Sequence, residues 1–157
     1  MSRRIALTLA LALGACIEPG DELPWKRQDE HEPVAASACP ADDEGDVPTG
    51  VQPRIRFDFP GEIEQDLDPD SLSDRTVTLT SSGEFRVRGH VTLDRRRGVV
   101  LFVPQDALTP FVRYEIRVTT SVRDLLGNPV REEFLSGFVT GDVNEDDPCA
   151  SWPEENP

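Results

Sequence analysis

Cysteines, closely spaced acids and arginines are the residues in this 157-residue chain with the means to do chemistry. The cysteines are Cys16, Cys39 and Cys149, and a thiol can be acylated, oxidised to a disulfide or used as a ligand. Asp142, Asn144 and Asp146 place three oxygen donors at alternate positions, as the opening of a calcium loop does. Asp147 stands where such a loop needs a sharp-turning glycine, and Pro153 where it needs a bidentate glutamate. Asp42, Glu44 and Asp46 form a second acidic stretch with Gly45 out of register for the motif. Drawn together, the two stretches would make a weak calcium site; the simpler reading is a solvated acidic tail. Arg54, Arg56, Arg86, Arg88, Arg95, Arg96, Arg97, Arg113 and Arg117 could line one sheet face as a basic stripe for an anionic glycan or a protein. Asp58, Glu84, Asp94 and Glu115 are interleaved with them, which equally describes an ordinary charged face. Catalysis needs a positioned nucleophile, base or metal, and no G-x-S-x-G, H-E-x-x-H or P-loop pattern is present. His90 falls on the outward parity of an arginine-rich segment, His31 has no ligand partner at metal-site spacing, and Ser81, Ser82 and Ser121 have no base signalled nearby. The expectation is a protein that is not an enzyme and carries no cofactor.

The N-terminus specifies more. Ser2-Arg3-Arg4 is basic, Ile5 to Leu13 is small and apolar, and Leu13-Gly14-Ala15-Cys16 closes the run. That order is a secretory signal, too short to cross a hydrocarbon core that needs about twenty helical residues. The closing tetrapeptide resembles the lipobox of bacterial lipoproteins. The resemblance implies that residues 1–15 are removed and that Cys16 is acylated and becomes the first mature residue. It implies a partner, the lipid bilayer, and a location in the bacterial envelope: outer-membrane anchored, facing the periplasm or the cell surface. Plain secretion with free release is the alternative. With Cys16 lipidated, Cys39 and Cys149 remain as an even pair in a compartment that permits disulfides. Their pairing would clasp the two ends of the domain; two independent thiols or pairing with another chain are the other readings.

Charge is unevenly distributed. The full chain carries –14, but residues 16–50 carry –8, residues 51–141 only –2, and residues 142–157 –6. Acidic flanks of this kind repel nucleic acid, which is not an expected partner. Five prolines and few large apolar residues between positions 17 and 50 suggest an extended tether. The expected organisation is a signal over 1–15, a Pro-rich acidic tether over 16–51, one domain over 52–141 and an acidic tail over 142–157.

Within the domain, apolar residues alternate with polar ones. Ile55, Phe57 and Phe59 alternate with Arg54, Arg56 and Asp58; Val77 and Leu79 with threonines; Phe85 through Leu93 with Arg86, Arg88, His90 and Thr92; Tyr114, Ile116 and Val118 with Glu115, Arg117 and Thr119. Val99 to Val103 is a continuous apolar run, and Phe134 and Phe138 anchor a last segment. Period two predicts half-buried strands, and their spacing predicts an antiparallel sandwich or barrel. Asp68-Pro69-Asp70-Ser71-Leu72 reads as a turn into a brief helical turn capped by Asp70 or Ser71. Arg95-Arg96-Arg97-Gly98 reads as a hairpin tip, and Pro104 as a strand end. Asp124, Gly127, Asn128 and Pro129 frame a tight connection in which Asp124 accepts backbone hydrogen bonds and Gly127 and Asn128 tolerate left-handed geometry.

In order, Pro53, Arg54-Ile55-Arg56-Phe57, Asp68-Pro69-Asp70-Ser71-Leu72, Thr76-Val77-Thr78-Leu79, Phe102-Val103-Pro104, Tyr114-Glu115-Ile116-Arg117-Val118, Asp124-Leu125-Leu126-Gly127-Asn128-Pro129 and Phe138-Val139-Thr140 resemble the bacterial Ig-like domains of the SbsA type. The resemblance covers about 52–141. It implies an all-β fold, an antiparallel Ig-like β-sandwich with Greek-key type connections. The expected function is that of a non-catalytic envelope lipoprotein: a structural or protein-interaction module held out from a lipid anchor, with an envelope protein or glycan as partner. A calcium- or glycan-binding adhesion module is the alternative.

Overall fold

The computed structural model describes residues 32–60, 66–82 and 85–153; the expected signal, Cys16 and the first part of the expected tether, 16–31, lie outside them. The strands are β1 (Val34–Cys39), β2 (Glu44–Val47), β3 (Arg54–Asp58), β4 (Val77–Ser81), β5 (Phe85–Arg86), β6 (Gly89–Asp94), β7 (Val99–Pro104), β8 (Arg113–Val118) and β9 (Phe134–Thr140). Alternation becomes burial most cleanly in β8, where Tyr114, Ile116 and Val118 are buried and Arg113, Glu115 and Arg117 exposed. The strands form two sheets, ordered β1-β3-β7-β6 and β2-β9-β8-β4-β5. With β2 and β5 set aside as A′ and C′ and the rest lettered A to G in chain order, these are the A-B-E-D and A′-G-F-C-C′ sheets of an immunoglobulin sandwich, with connections that pass between sheets. Ile55, Phe57, Val100 and Phe102 from one sheet meet Leu79, Ile116, Val118 and Phe138 from the other in a single core. Each large apolar side chain fully buried there contributes about 1.5–3 kcal/mol.

Three expectations need correction. Residues 34–47 are not tether: β1 pairs antiparallel with β3, and β2 runs parallel to β9. Backbone pairing asks little of side chains, so the small residues of Val34-Ala35-Ala36-Ser37-Ala38-Cys39 suffice for a strand, and Val47 and Val51 close the core behind them. β2–β9 is the one parallel pair among the described strands; the other pairs are antiparallel, as expected of an Ig-like sandwich. Residues 85–93 are not one strand. β5 pairs with β4, β6 pairs with β7, and the chain changes sheets at Val87-Arg88, leaving Phe85 exposed. Finally, Asp68 caps the short 3-10 turn by accepting from the Asp70 amide, in place of Asp70 or Ser71.

Tyr114 locks the connection into β8. Its ring stacks on Phe138 with centroids 5.8 Å apart, and its hydroxyl accepts a hydrogen bond from the Thr109 amide at 2.8 Å. This is the tyrosine corner of Ig sandwiches, a hydroxyl bonded to backbone a few residues upstream. Tyr114→Phe keeps the stack and orphans a part-buried amide. We expect a loss of about 1–2 kcal/mol in denaturant unfolding with an unchanged m-value.

Candidate functional site: a clasped Ig-like module

The Asp124 turn is built as its sequence suggests. Asp124 Oδ1 accepts from the amides of Leu126 and Asn128, and Oδ2 accepts from the Asn128 side chain at 2.8 Å. Gly127 takes φ +87°, which few L-residues tolerate, whereas Asn128 does not use positive φ. Pro129 follows, paired in an isolated bridge with Arg123. Asp124 is buried and fully engaged, so its role is to fold the β8–β9 connection.

Past β9 the chain does not leave the domain. Asn144 accepts from the Gly50 amide at 2.7 Å and exchanges hydrogen bonds with Thr49. A side chain on residue 50 would run into the Glu145 carbonyl, so the close approach requires glycine. Cys149 is disulfide-bonded to Cys39, with Cα atoms 5.8 Å apart. Arg54 pairs across β1 and β3 with Cys39, and it faces away from the core that its neighbour Ile55 enters. Asp147 reaches it at 2.9 Å, and both side chains are largely buried, 8% and 15% exposed. Asp147 also accepts from the amides of Gln52 and Cys149, and Arg97 donates to the Ala150 carbonyl at 2.7 Å. Residues 141–153 are therefore a strap across the outer face of the β1-β3-β7-β6 sheet, not a solvated tail. Arg54, expected in water, is buried beneath it. Parity correctly placed Arg54 on the outer face, but it carries no information about what covers that face.

The proposed calcium ligands do not converge. Among the described residues no three histidine, cysteine or acidic side chains gather as a metal site. The Asn144 carboxamide oxygen accepts from the Asp146 amide, Asp42 accepts from the Gly137 amide, and Asp43 pairs with Arg113 at 2.7 Å. Asn144 and Asp42, of the candidate ligands, are thus engaged in holding loops. The basic stripe is also dispersed. Arg54 and Arg56 lie in one sheet, Arg86, Arg113 and Arg117 in the other. Arg56 pairs with Asp58, Arg86 with Asp74, Arg95 with Asp66 and Arg117 with Glu133. The hydrogen bond and charge of Asp43 raise the Arg113 pKa, so that guanidinium stays charged. His90 is exposed, as its parity implies.

What remains is a scaffold of two sheets with loops, edges and a mixed-charge face on β4 and β8, where Thr78, Thr80, Arg113, Glu115 and Arg117 line a shallow open depression. The sheet order, the tyrosine corner and the Asp124 turn define an Ig-like structural or interaction module. The chain belongs to the bacterial Ig-like domain family, whose model matches residues 29–140, and domains of this family are generally non-enzymatic. The match begins before β1, in agreement with the strands found there. No curated protein matches the chain. Among solved structures, it is similar to the S-layer protein SbsC at 13% identity and a TM-score of 0.51, over 72% of this chain but 14% of that one. It is also similar to PcoC, a methionine-rich copper resistance protein from Escherichia coli, at 16% identity and a TM-score of 0.50, over 69% of this chain and 98% of that one. At such identities the likeness is one of fold.

Proposed function

We infer that the protein is a non-catalytic envelope lipoprotein. Acylated Cys16 holds it to the outer membrane, and the Ig-like domain serves as a structural or protein-interaction module facing the periplasm or the cell surface. The observation that carries this reading is the run Leu13-Gly14-Ala15-Cys16 at the end of an apolar segment, followed by a domain whose disulfide suits an oxidising compartment. Between Cys16 and the first strand at Val34 lie 17 residues. A chain of that length can reach at most about 55–60 Å, which allows the sandwich to stand clear of headgroups. The S-layer protein of similar fold is itself named for a surface layer, which accords with a surface or envelope role. The absence of a nucleophile–base constellation in the sequence supports a binding role over an enzymatic one. The calcium-binding alternative has lost its main support, because the two acidic stretches do not gather as a metal site among the described residues.

The test is Cys16→Ser. Wild-type protein is expected in the membrane fraction, with an N-terminal peptide whose mass includes acyl chains. The variant is expected in the soluble fraction, folded and with its disulfide intact. Wild-type protein recovered only in the soluble fraction, with no acyl mass, would refute the anchor.

A further inference from the structure

Sheet edges are the places where an Ig sandwich can add a strand, and the four edges here are unequally protected. β1 is interrupted by a bulge between Ala35 and Ser37, β2 is short, acidic and irregular, and β5 has two residues. β6, Gly89-His90-Val91-Thr92-Leu93-Asp94, is six residues long and pairs with β7 without a register shift. It carries no proline or lysine and only one charge, at its end, and so lacks the devices that blunt edges.

Its pattern of free backbone groups follows from the β7 ladder. The Gln105 amide donates to the Arg88 carbonyl at 2.9 Å, so Arg88 and every second residue after it bond toward β7. Pro104, which has no N–H, sits opposite Gly89 at an intervening position, as this alternation requires. Gly89, Val91 and Leu93 therefore turn their N–H and C=O groups outward from the sheet.

We propose that β6 is a self-association edge, pairing antiparallel with β6 of a second copy around a two-fold axis at Val91. In that register Val91 faces its own counterpart and Gly89 faces Leu93 of the second copy. The three outward-bonding positions of each strand then exchange about six backbone hydrogen bonds. The same register sets Arg88 opposite Asp94 and His90 opposite Thr92, at the closely spaced positions where opposite charges stabilise a pair. Arg88 is exposed and has no ion pair among the described residues. Asp94 uses one oxygen to accept from the turn amides of Arg96 and Arg97 and keeps the other for a partner. Shifting the register by two residues in either direction forfeits an outward pair and separates Arg88 from Asp94. The product is one continuous sheet of eight strands across two molecules, and symmetry makes the charge match occur twice.

Sedimentation velocity on the full chain, in detergent that accommodates an acylated N-terminus, tests this over micromolar to near-millimolar concentration. A concentration-dependent dimer is expected. Val91→Pro removes an outward N–H that no described residue accepts, and should weaken the dimer by about tenfold or more while the monomer stays folded, losing only part of the contact Val91 makes with the core. Arg88→Asp and Asp94→Arg should each reduce self-association, and the two variants mixed should form a heterodimer with both charge pairs restored. A monomer throughout, a dimer indifferent to Val91→Pro, or mixed variants that fail to associate would each overturn the proposal. So would a monomer whose Val91 and Leu93 amides are protected from hydrogen exchange, since another segment would then occupy the edge.

Discussion

Replacing Cys39 and Cys149 together by alanine is expected to lower stability by about 3–5 kcal/mol, or roughly 15 °C in thermal midpoint for a domain of this size. The bond joins residues 110 apart in sequence, so its loss frees nearly the whole domain in the unfolded state. The cost is large against a total stability of about 5–15 kcal/mol. Thermal unfolding of the oxidised protein against the double variant measures it. Because the strap touches the core only through Cys149 and Trp152, the variant should keep its sandwich and lose order first at residues 141–153, visible as faster amide exchange there. A change of less than about 1 kcal/mol would mean that the strap is held by its other contacts, and would contradict the role assigned to the bond.

The second large effect is expected at Asp147. Asp147→Ala leaves the Arg54 guanidinium beneath the strap without its counter-charge, and one of its nitrogens, Nη1, already has no hydrogen-bond partner. Removing one member of a buried ion pair typically costs about 3–5 kcal/mol, because the remaining charge stays desolvated. The two sites should also be coupled. With the disulfide intact, the strap is held over Arg54 and the full cost is felt. Without it, the strap can lift and water can reach the guanidinium. Asp147→Ala should therefore destabilise the oxidised protein more than the Cys39→Ala/Cys149→Ala background, a non-additivity that a double-mutant cycle in denaturant resolves. Equal costs in both backgrounds would show that the strap does not gate hydration of Arg54.

These two predictions concern residues that the sequence treats differently. The cysteines announce themselves as an even pair flanking the domain, and the structure joins them. Arg54 and Asp147 give no such signal. Alternation puts Arg54 outward, correctly, and composition puts Asp147 in an acidic tail; only the close approach of segments far apart in sequence turns them into a buried pair. The ladder supplies the link, since Asp147 precedes Cys149 by two residues and Arg54 lies opposite Cys39 in the β1–β3 pairing. Once the disulfide is accepted, those neighbours must meet.

The same division applies to the fold. β8, the β6–β7 hairpin with Gly98 at φ +64°, and the Asp124 turn were legible, because burial parity and turn chemistry are local properties written in neighbouring residues. β1 and β2 were not. Their small and acidic residues carry no apolar period, and they become strands because β3 and β9 present unpaired backbone to them. The break at Val87-Arg88 was likewise invisible, since an alternating run reads the same whether its two halves join one sheet or two.

By itself, then, the sequence determined the apolar faces, most of the turns and the pair of domain cysteines, while the signal ending in Cys16 is an expectation that rests on the sequence alone. The tertiary structure decided which strands lie at edges, that the acidic C-terminal segment is a strap, and that the arginines are divided between two sheets. The reason is physical. Local patterning fixes which way a side chain points, but burial, charge pairing and free backbone edges depend on which distant segment arrives opposite it.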